Sequence, residues 1–396
     1  MIPRTEYLDL LIRFKDKELI KVVTGIRRCG KSTLFDLYCD YLKEQGIEEN
    51  QIIRINLEDR SYSDIDNYLK LNDFVEERLN PNKKNYVFID EVQNVPEFQK
   101  ACDSLYINKN VDLYITGSNA YLLSGELATL LSGRYIEIKM MPLSFKEYVS
   151  YLGESDLRKK YKNYITNSSF PYAININDKI DRNFYLESIY NSIILKDIAQ
   201  RKNTIDIPML DSVTRFMFDN IGNVCSTTKI ANSMTSAGRK ISVHTVENYL
   251  QSLLDSFVLY KAERYDIKGK QYLSSGYKYY VCDIALRYYL LGDKPVDAGH
   301  ILENIVYLEL IRRGYRVYVG KNGESEVDFI AIGENGEEYY QVAYTVNDEN
   351  TLKRELNPLD SIQDHNPKYI LTMDDEPIKS YNGIKQVYVL DWLINK

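Results

Sequence analysis

The 396-residue sequence has no apolar run that approaches the ~18–20 residues of a membrane-spanning helix. Lys15, Asp16, Lys17 and Glu18 interrupt the region where a secretory leader would need a continuous apolar stretch. A cytoplasmic location is therefore expected. Cysteine is scarce as well: Cys29, Cys39, Cys102, Cys225 and Cys282 lie far apart with no C-x-x-C pair, and the three histidines are equally scattered. This pattern argues against a disulfide framework and against a Cys/His zinc site. Excess positive charge is also missing. Fifty basic against 57 acidic side chains leave a formal charge of −7, which excludes a protein that coats nucleic acid over its whole surface.

What is present is the balance of a globular chain. Hydrophobic residues make up 44% and charged residues 27%, which excludes wholesale disorder. At ~100–200 residues per domain the length suggests two to four domains. The charge is unevenly spread: Cys225–Tyr280 holds eight Lys/Arg against four Asp/Glu, and Val281–Lys396 twelve against twenty. Any contact with DNA is expected in the middle. The 35 tyrosines are assigned to packing.

In the N-terminal third, short apolar runs alternate with stretches of helical period. Val22–Thr24, Ile52–Leu57, Tyr86–Ile89, Val111–Thr116 and Tyr135–Ile138 read as strands. Their continuous apolar character predicts a parallel sheet covered by helices on both faces, a doubly wound α/β domain.

Gly25-Ile-Arg-Arg-Cys-Gly30-Lys31-Ser32 follows the first strand and fits G-x-x-x-x-G-K-[ST]. Its glycines let backbone N–H groups converge on phosphate oxygens, and the following helix aims its positive end at the same point. Lys31 supplies a charge for the β- and γ-phosphates, and Ser32 a hydroxyl for Mg²⁺. Leu34, Phe35, Leu37, Tyr38 and Tyr41 make that helix amphipathic.

Tyr86-Val-Phe-Ile-Asp90-Glu91 then delivers two acids to the carboxyl end of a buried strand, where ligands bind in such sheets. Asp90 is read as the Mg²⁺ holder and Glu91 as the residue that orients or deprotonates water. Asn119, in Thr116-Gly-Ser118-Asn119, either senses the γ-phosphate or positions the water, or else only satisfies a turn. Arg134, just before the fifth strand, either reaches a neighbouring subunit's γ-phosphate or makes a surface ion pair. Cys29, close to a helix N-terminus, is expected to have thiolate character.

The combination of GIRRCGKST, FIDEVQ, ITGSNA and LSGRYIEIKMMPLSFKEY resembles prokaryotic AAA+ ATPases with a restriction-endonuclease-like C-terminal domain. SFP (Ser169–Pro171), LKDIAQR (Leu195–Arg201), ENIVYLELIRRGY (Glu303–Tyr315) and EVDFIA (Glu326–Ala331) carry the likeness through the chain. The resemblance implies that Gly30, Lys31, Ser32 and Thr33 form Walker A and that Asp90 and Glu91 form Walker B. It also implies that Asn119 is sensor 1 and that Arg134 stands at the arginine-finger position. Gly25, Arg28 and Cys29 would complete the loop around ATP, with Mg²⁺ between Ser32 and Asp90.

Four parts are expected: an AAA+ domain over 1–150, a helical lid over 151–222, a winged helix over 223–282 and an endonuclease-like domain over 283–396. The third rests on a helix at Ser226–Ala237, a second capped by Ser242, and two β-like runs. If that module meets DNA, His244, Thr245, Asn248 and Gln251 face bases, while Lys229, Arg239 and Lys240 face phosphates; otherwise it packs on protein. In the fourth part Glu303 begins an apolar helix, and Asp328 and Gln341-Val342-Ala343 lie in strands. The resemblance assigns Glu303, Asp328 and Gln341 to a metal-dependent phosphodiesterase centre whose lysine position is Ala343. A methyl group cannot stabilise a hydroxide, so a relic fold reused for binding is expected.

The expected activity is Mg-ATP hydrolysis that moves the winged-helix and nuclease-like parts, with a DNA or protein partner or in a homo-oligomer. The alternatives are an ATP-gated nuclease and a nucleotide-occupied switch with negligible turnover.

Overall fold

All five N-terminal apolar runs become strands of one sheet: β1 (Ile20–Thr24), β2 (Ile52–Asn56), β3 (Asn85–Asp90), β4 (Val111–Gly117) and β5 (Tyr135–Lys139). They are parallel throughout, in the order β2-β3-β4-β1-β5. β1, β3 and β4 are buried along their whole length, whereas β2 and β5, at the edges, are only half-buried. Helices α1 (Thr5–Arg13), α2 (Lys31–Glu44), α3 (Tyr68–Glu76) and α4 (Phe98–Ile107) accompany the sheet.

The side-chain alternation of β3 separates the two faces. Val87 and Ile89 join one core with Leu71 and Val75 of α3 and Ala101, Cys102 and Leu105 of α4. Phe88, between them, faces the other way, stacking on Tyr114 at 4.7 Å and meeting Phe35 of α2 edge-on at 5.1 Å. Tyr38 of α2 hydrogen-bonds Tyr114 at 3.0 Å. Tyrosine is thus core material here, and the buried Tyr38 and Tyr114 hydroxyls partner each other.

The structure is a computed structural model and describes residues 2–118, 131, 133–153, 156–199, 205–292, 298–375 and 378–395. It divides into two compact units: residues to Pro142 with Asp255–Phe257, and Leu143–Leu254 with Val258 onward. Among the described residues no helix is long and apolar enough to cross a membrane.

The second unit opens with α5 (Phe145–Leu152), α6 (Leu157–Asn167), α7 (Lys179–Ser192) and α8 (Ile207–Asp219). A π-helical stretch, Ile193–Ile198, continues α7 through the start of the LKDIAQR segment. The SFP segment has a structural task. Asp283, fully buried, accepts hydrogen bonds from Ser168 Oγ (3.1 Å), Ser169 N (2.6 Å), Ser169 Oγ (2.7 Å) and Leu286 N (2.7 Å).

Next come β6 (Val224–Cys225), α9 (Thr227–Ser236), α10 (Val243–Asp255), β7 (Leu259–Asp266) and β8 (Gln271–Val281). Ser226 caps α9 through Lys229 N, and Ser242 Oγ accepts from Thr245 N. Ile230, Ala231 and Met234 are buried on α9, as are Val246, Tyr249, Leu250 and Leu253 on α10. The two strands are not a free ribbon. β7 pairs in parallel with β9 (Arg316–Asn322), so both enter a sheet with β10 (Ser325–Gly333), β11 (Gly336–Ala343), β12 (Lys368–Thr372), β13 (Lys379–Tyr381) and β14 (Ile384–Tyr388). That nine-stranded sheet runs β13-β14-β12-β11-β10-β9-β7-β8-β6. Helices α11 (Ile284–Leu291), α12 (Ala298–Arg312), α13 (Glu349–Asp360) and α14 (Val389–Ile394) complete the unit.

One helix start is corrected. α12 runs from Ala298, so Glu303 lies in its second turn and is buried. The N-terminal dipole fades within the first turn and does not account for a buried acid there.

Candidate nucleotide-binding site

The sheet's topology assembles the site. β4 lies between β1, which leads into the glycine loop, and β3, which ends in the two acids. Register Thr24↔Gly117 on one side and Ile89↔Ile115 on the other bring all three carboxyl ends to one edge. The loop turns there through left-handed backbone at Arg28 (φ 68°) and Gly30 (φ 105°). Gly25 has a steric reason to be glycine, since a Cβ would stand 2.0 Å from the Met140 carbonyl oxygen. α2 begins at Lys31 and no side chain caps it, which leaves its first N–H groups aimed out of the loop.

Lys31 is buried, and its Nζ donates to Gly25 O (3.0 Å) and Ile26 O (3.4 Å) and lies 3.6 Å from Glu91 Oε1. Ser32 and Arg28 are exposed and Thr33 half-buried. Asp90 and Glu91 are both buried. The Thr116 hydroxyl donates to Asp90 Oδ1 and accepts from Glu91 N at 2.9 Å. The second oxygen of Asp90, Oδ2, is buried with no hydrogen-bond partner. Burial pushes the Asp90 carboxyl up, and Glu91 adds to this against Ser32, Thr116 and Lys31. Burial acts the same way on Glu91, but Lys31, Gln93, Arg27 and Ser118 together hold it below the usual carboxylate range. Glu91 is thus an ionised carboxylate beside a lysine, while Asp90 keeps a naked oxygen that a cation would satisfy. These residues fit a Mg²⁺-nucleotide.

Two contributors carry no sequence signal of their own. Arg4, buried near the N-terminus, donates through Nη1 to Cys29 O (2.8 Å) and through Nη2 to Met141 O (2.6 Å), bracing the loop from behind. Thr116 stands in the polar run from which Asn119 is singled out, and the β3–β4 register would have indicated it. Asn119 itself lies outside the described residues. Arg134 is not at this edge. Its carbonyl accepts from Ile20 N at the opposite end of β1, and its guanidinium pairs with Asp103 of α4.

The expectation for Cys29 is corrected. The thiol is fully buried, and burial pushes its pKa up despite Lys31 and Arg4; a helix end cannot offset complete desolvation. Cys29 is therefore expected to resist iodoacetamide in the native protein with or without nucleotide and to react only on unfolding. Peptide mapping checks this, and native labelling slowed by ATP would restore the thiolate reading.

In the second unit, Lys229, Arg239, Lys240, His244, Asn248 and Gln251 are exposed and Thr245 is half-buried. His244 and Asn248 contact each other at 3.3 Å on the open face of α10. Glu303, Asp328 and Gln341 do converge, from α12, β10 and β11. Ala343, buried at the end of β11, supplies no polar group.

A family model described as an AAA domain matches residues 17–149, and another, a domain of unknown function (DUF8612), matches residues 158–297. An uncharacterized protein of Haemophilus influenzae is 42% identical over 399 residues, covering 100% of this chain and 99% of its own. An uncharacterized protein of Methanocaldococcus jannaschii is 30% identical over 351 residues, covering 84% and 76%. The chain belongs to their family and carries an AAA domain. The AAA domain contains β1 to β5, the glycine loop and both acids. The Walker-type ATPase of Pyrococcus abyssi is similar in fold, with a TM-score of 0.50 at 15% identity over 73% of this chain and 96% of that one.

Proposed function

We propose that this AAA protein binds and hydrolyses Mg-ATP and couples the cycle to movement of its second unit. The observation that supports the reading most is one edge of the sheet. There the glycine loop, an ionised Glu91 and a buried, unpartnered Asp90 oxygen stand together. Backbone N–H groups of residues 30–33 hold the β- and γ-phosphates, and Lys31 leaves its loop carbonyls for their charge. Ser32 and Asp90 hold Mg²⁺, which when bound neutralises charge on the phosphates. Glu91 orients a water and takes its proton as the water oxygen bonds to the γ-phosphorus. The bond to the β–γ bridging oxygen breaks, and ADP and inorganic phosphate leave.

In this reading residues 151–222 act as the lid, and Asn119 completes the water site. Arg134, at the sheet edge remote from its own loop, exchanges Asp103 for the γ-phosphate of a neighbouring copy. The helices at 227–255 with β7 and β8 form a winged helix that offers Lys229, Arg239, Lys240 and His244 to DNA. Because β7 is interior to the nine-stranded sheet, contact would run through α10 and not through a mobile wing.

Phosphate release by the intact protein tests the proposal. Release is expected to exceed the protein-free background by roughly tenfold or more, to stop in EDTA, and to respond to duplex DNA in a salt-dependent way. Release at background under every condition would favour the nucleotide-occupied switch.

A further inference from the structure

The resemblance to restriction-type nucleases implies a divalent metal at Glu303, Asp328 and Gln341, and these residues do not fit one. Glu303 Oε1 accepts from Lys278 Nζ (2.9 Å) and from the Tyr280 hydroxyl (2.7 Å). Its Oε2 faces the backbone at Gly222, where an added Cβ would stand 3.3 Å away. Asp328 Oδ2 accepts from Val342 N at 2.9 Å, and Oδ1 lies 3.6 Å from Lys278 Nζ. Gln341 Oε1 accepts from Asp328 N at 3.3 Å, and its Nε2 donates to Glu355 at 2.8 Å. Glu326, two residues before Asp328 on β10, places Oε1 at 2.9 Å from the same Lys278 Nζ. One buried ammonium group therefore gathers three carboxylates. Among the described residues no three His, Cys, Asp or Glu side chains are arranged to hold a metal ion.

We propose that Lys278 takes the place of the divalent metal: an ammonium group built into β8 fills the cation position of the nuclease-like centre and closes it to Mg²⁺. Three acids brought this close repel one another, most strongly the buried Glu303 and the largely covered Asp328, and some cation must compensate them. A mobile metal would serve catalysis because it keeps open coordination positions for water and phosphate. An ammonium group offers none, so the centre holds structure and does not cut. Lys278 stands on β8, the second strand after α10, while its partners stand on α12 and β10. It therefore ties β8 to α12 and to an interior strand of the same sheet, a job for which Ala343 at the usual lysine position is no handicap. A lysine acting beside a bound metal would need carboxylate oxygens left over for that metal. Here Glu303 Oε1 and Glu326 Oε1 already take the ammonium, and Asp328 Oδ2 takes the Val342 N–H.

The test uses the full-length protein without nucleotide and Mn²⁺ as the probe. Lys278→Met should lower the melting temperature by roughly 10 °C, because it leaves buried carboxylates uncompensated. Mn²⁺ should restore part of that loss, with an affinity about tenfold or more above that of the parent. The restoration should vanish in Lys278→Met/Asp328→Asn. Lys278→Arg keeps the charge and should remain indifferent to Mn²⁺ at this centre. Equal Mn²⁺ responses of Lys278→Met and parent would overturn the proposal. If Lys278→Met does not fold, protein that keeps Lys278 decides. Mn²⁺ is then counted by electron paramagnetic resonance in Lys31→Ala protein with and without Asp328→Asn. Equal counts support the lysine plug, and a site lost with Asp328→Asn refutes it, as would Mn²⁺-dependent plasmid nicking that disappears in the same variant.

Discussion

Lys31→Ala is expected to abolish measurable nucleotide binding. The Lys31 ammonium group rests on the Gly25 and Ile26 carbonyls and beside Glu91. Each of these is a partner it can leave for phosphate oxygens without crossing solvent. A charge-assisted contact contributes ~1.5–3 kcal/mol, and two phosphates share this one, so the affinity for ATP should fall by roughly 100-fold or more. Titration with a fluorescent ATP analogue reads the loss. Melting temperature serves as the control, because the alanine also removes the two loop hydrogen bonds. Glu91 would lose its nearest cation and titrate higher than in the parent, since Lys31 is one of the groups that hold it down. An unchanged affinity in a folded variant would remove the loop from the mechanism, and the acids on β3 would have no substrate to act on.

The N-terminal site was readable because each of its parts is local. A glycine that cannot carry a Cβ, a lysine at a helix start and a buried strand ending in two acids all leave short-range marks. The strands were readable for a related reason, since β1, β3 and β4 are covered on both faces and lose polar alternation altogether. What escaped the sequence is contact between residues far apart in the chain. Arg4 reaches the loop across 25 residues, and Thr116 reaches Asp90 across 26. Neither interaction has a spacing to recognise. The Cys29 thiol is not legible in the motif, which reports backbone shape and says nothing about the desolvation that sets a thiol's pKa. The second unit shows the same division. α9 and α10 followed from their caps and apolar spacing. The pairing of β7 with β9, and with it the meeting of Lys278 with Glu303 and Asp328, depends on a register that only the folded sheet specifies. The apolar run near Glu303 suggests a helix start there, but the helix begins at Ala298 and the partners of Glu303 stand on β8.

Glu91→Gln is expected to keep ATP and lose hydrolysis. The substitution preserves shape and leaves an oxygen for Gln93, and Glu91 itself sits in left-handed backbone (φ 53°) that glutamine would share at similar cost. What disappears is the negative charge next to Lys31. A general base contributes ~10²–10⁴-fold to rate, so single-turnover hydrolysis should slow by roughly that factor. ATP affinity should stay within about threefold, because the loop and Lys31 hold the ground-state phosphates. The comparison also separates the ATPase from the nucleotide-occupied switch. A switch would turn over so slowly that parent and variant release phosphate at the same near-background rate. An ATPase whose water is handled elsewhere would show equal rates well above background. Only a fast parent paired with a slow, ATP-loaded variant fits an ionised Glu91 that is placed to accept a proton. Asp90→Asn then distinguishes the two acids. If Asp90 holds the cation, that variant should weaken the dependence of ATP affinity on Mg²⁺, a dependence that Glu91→Gln leaves in place.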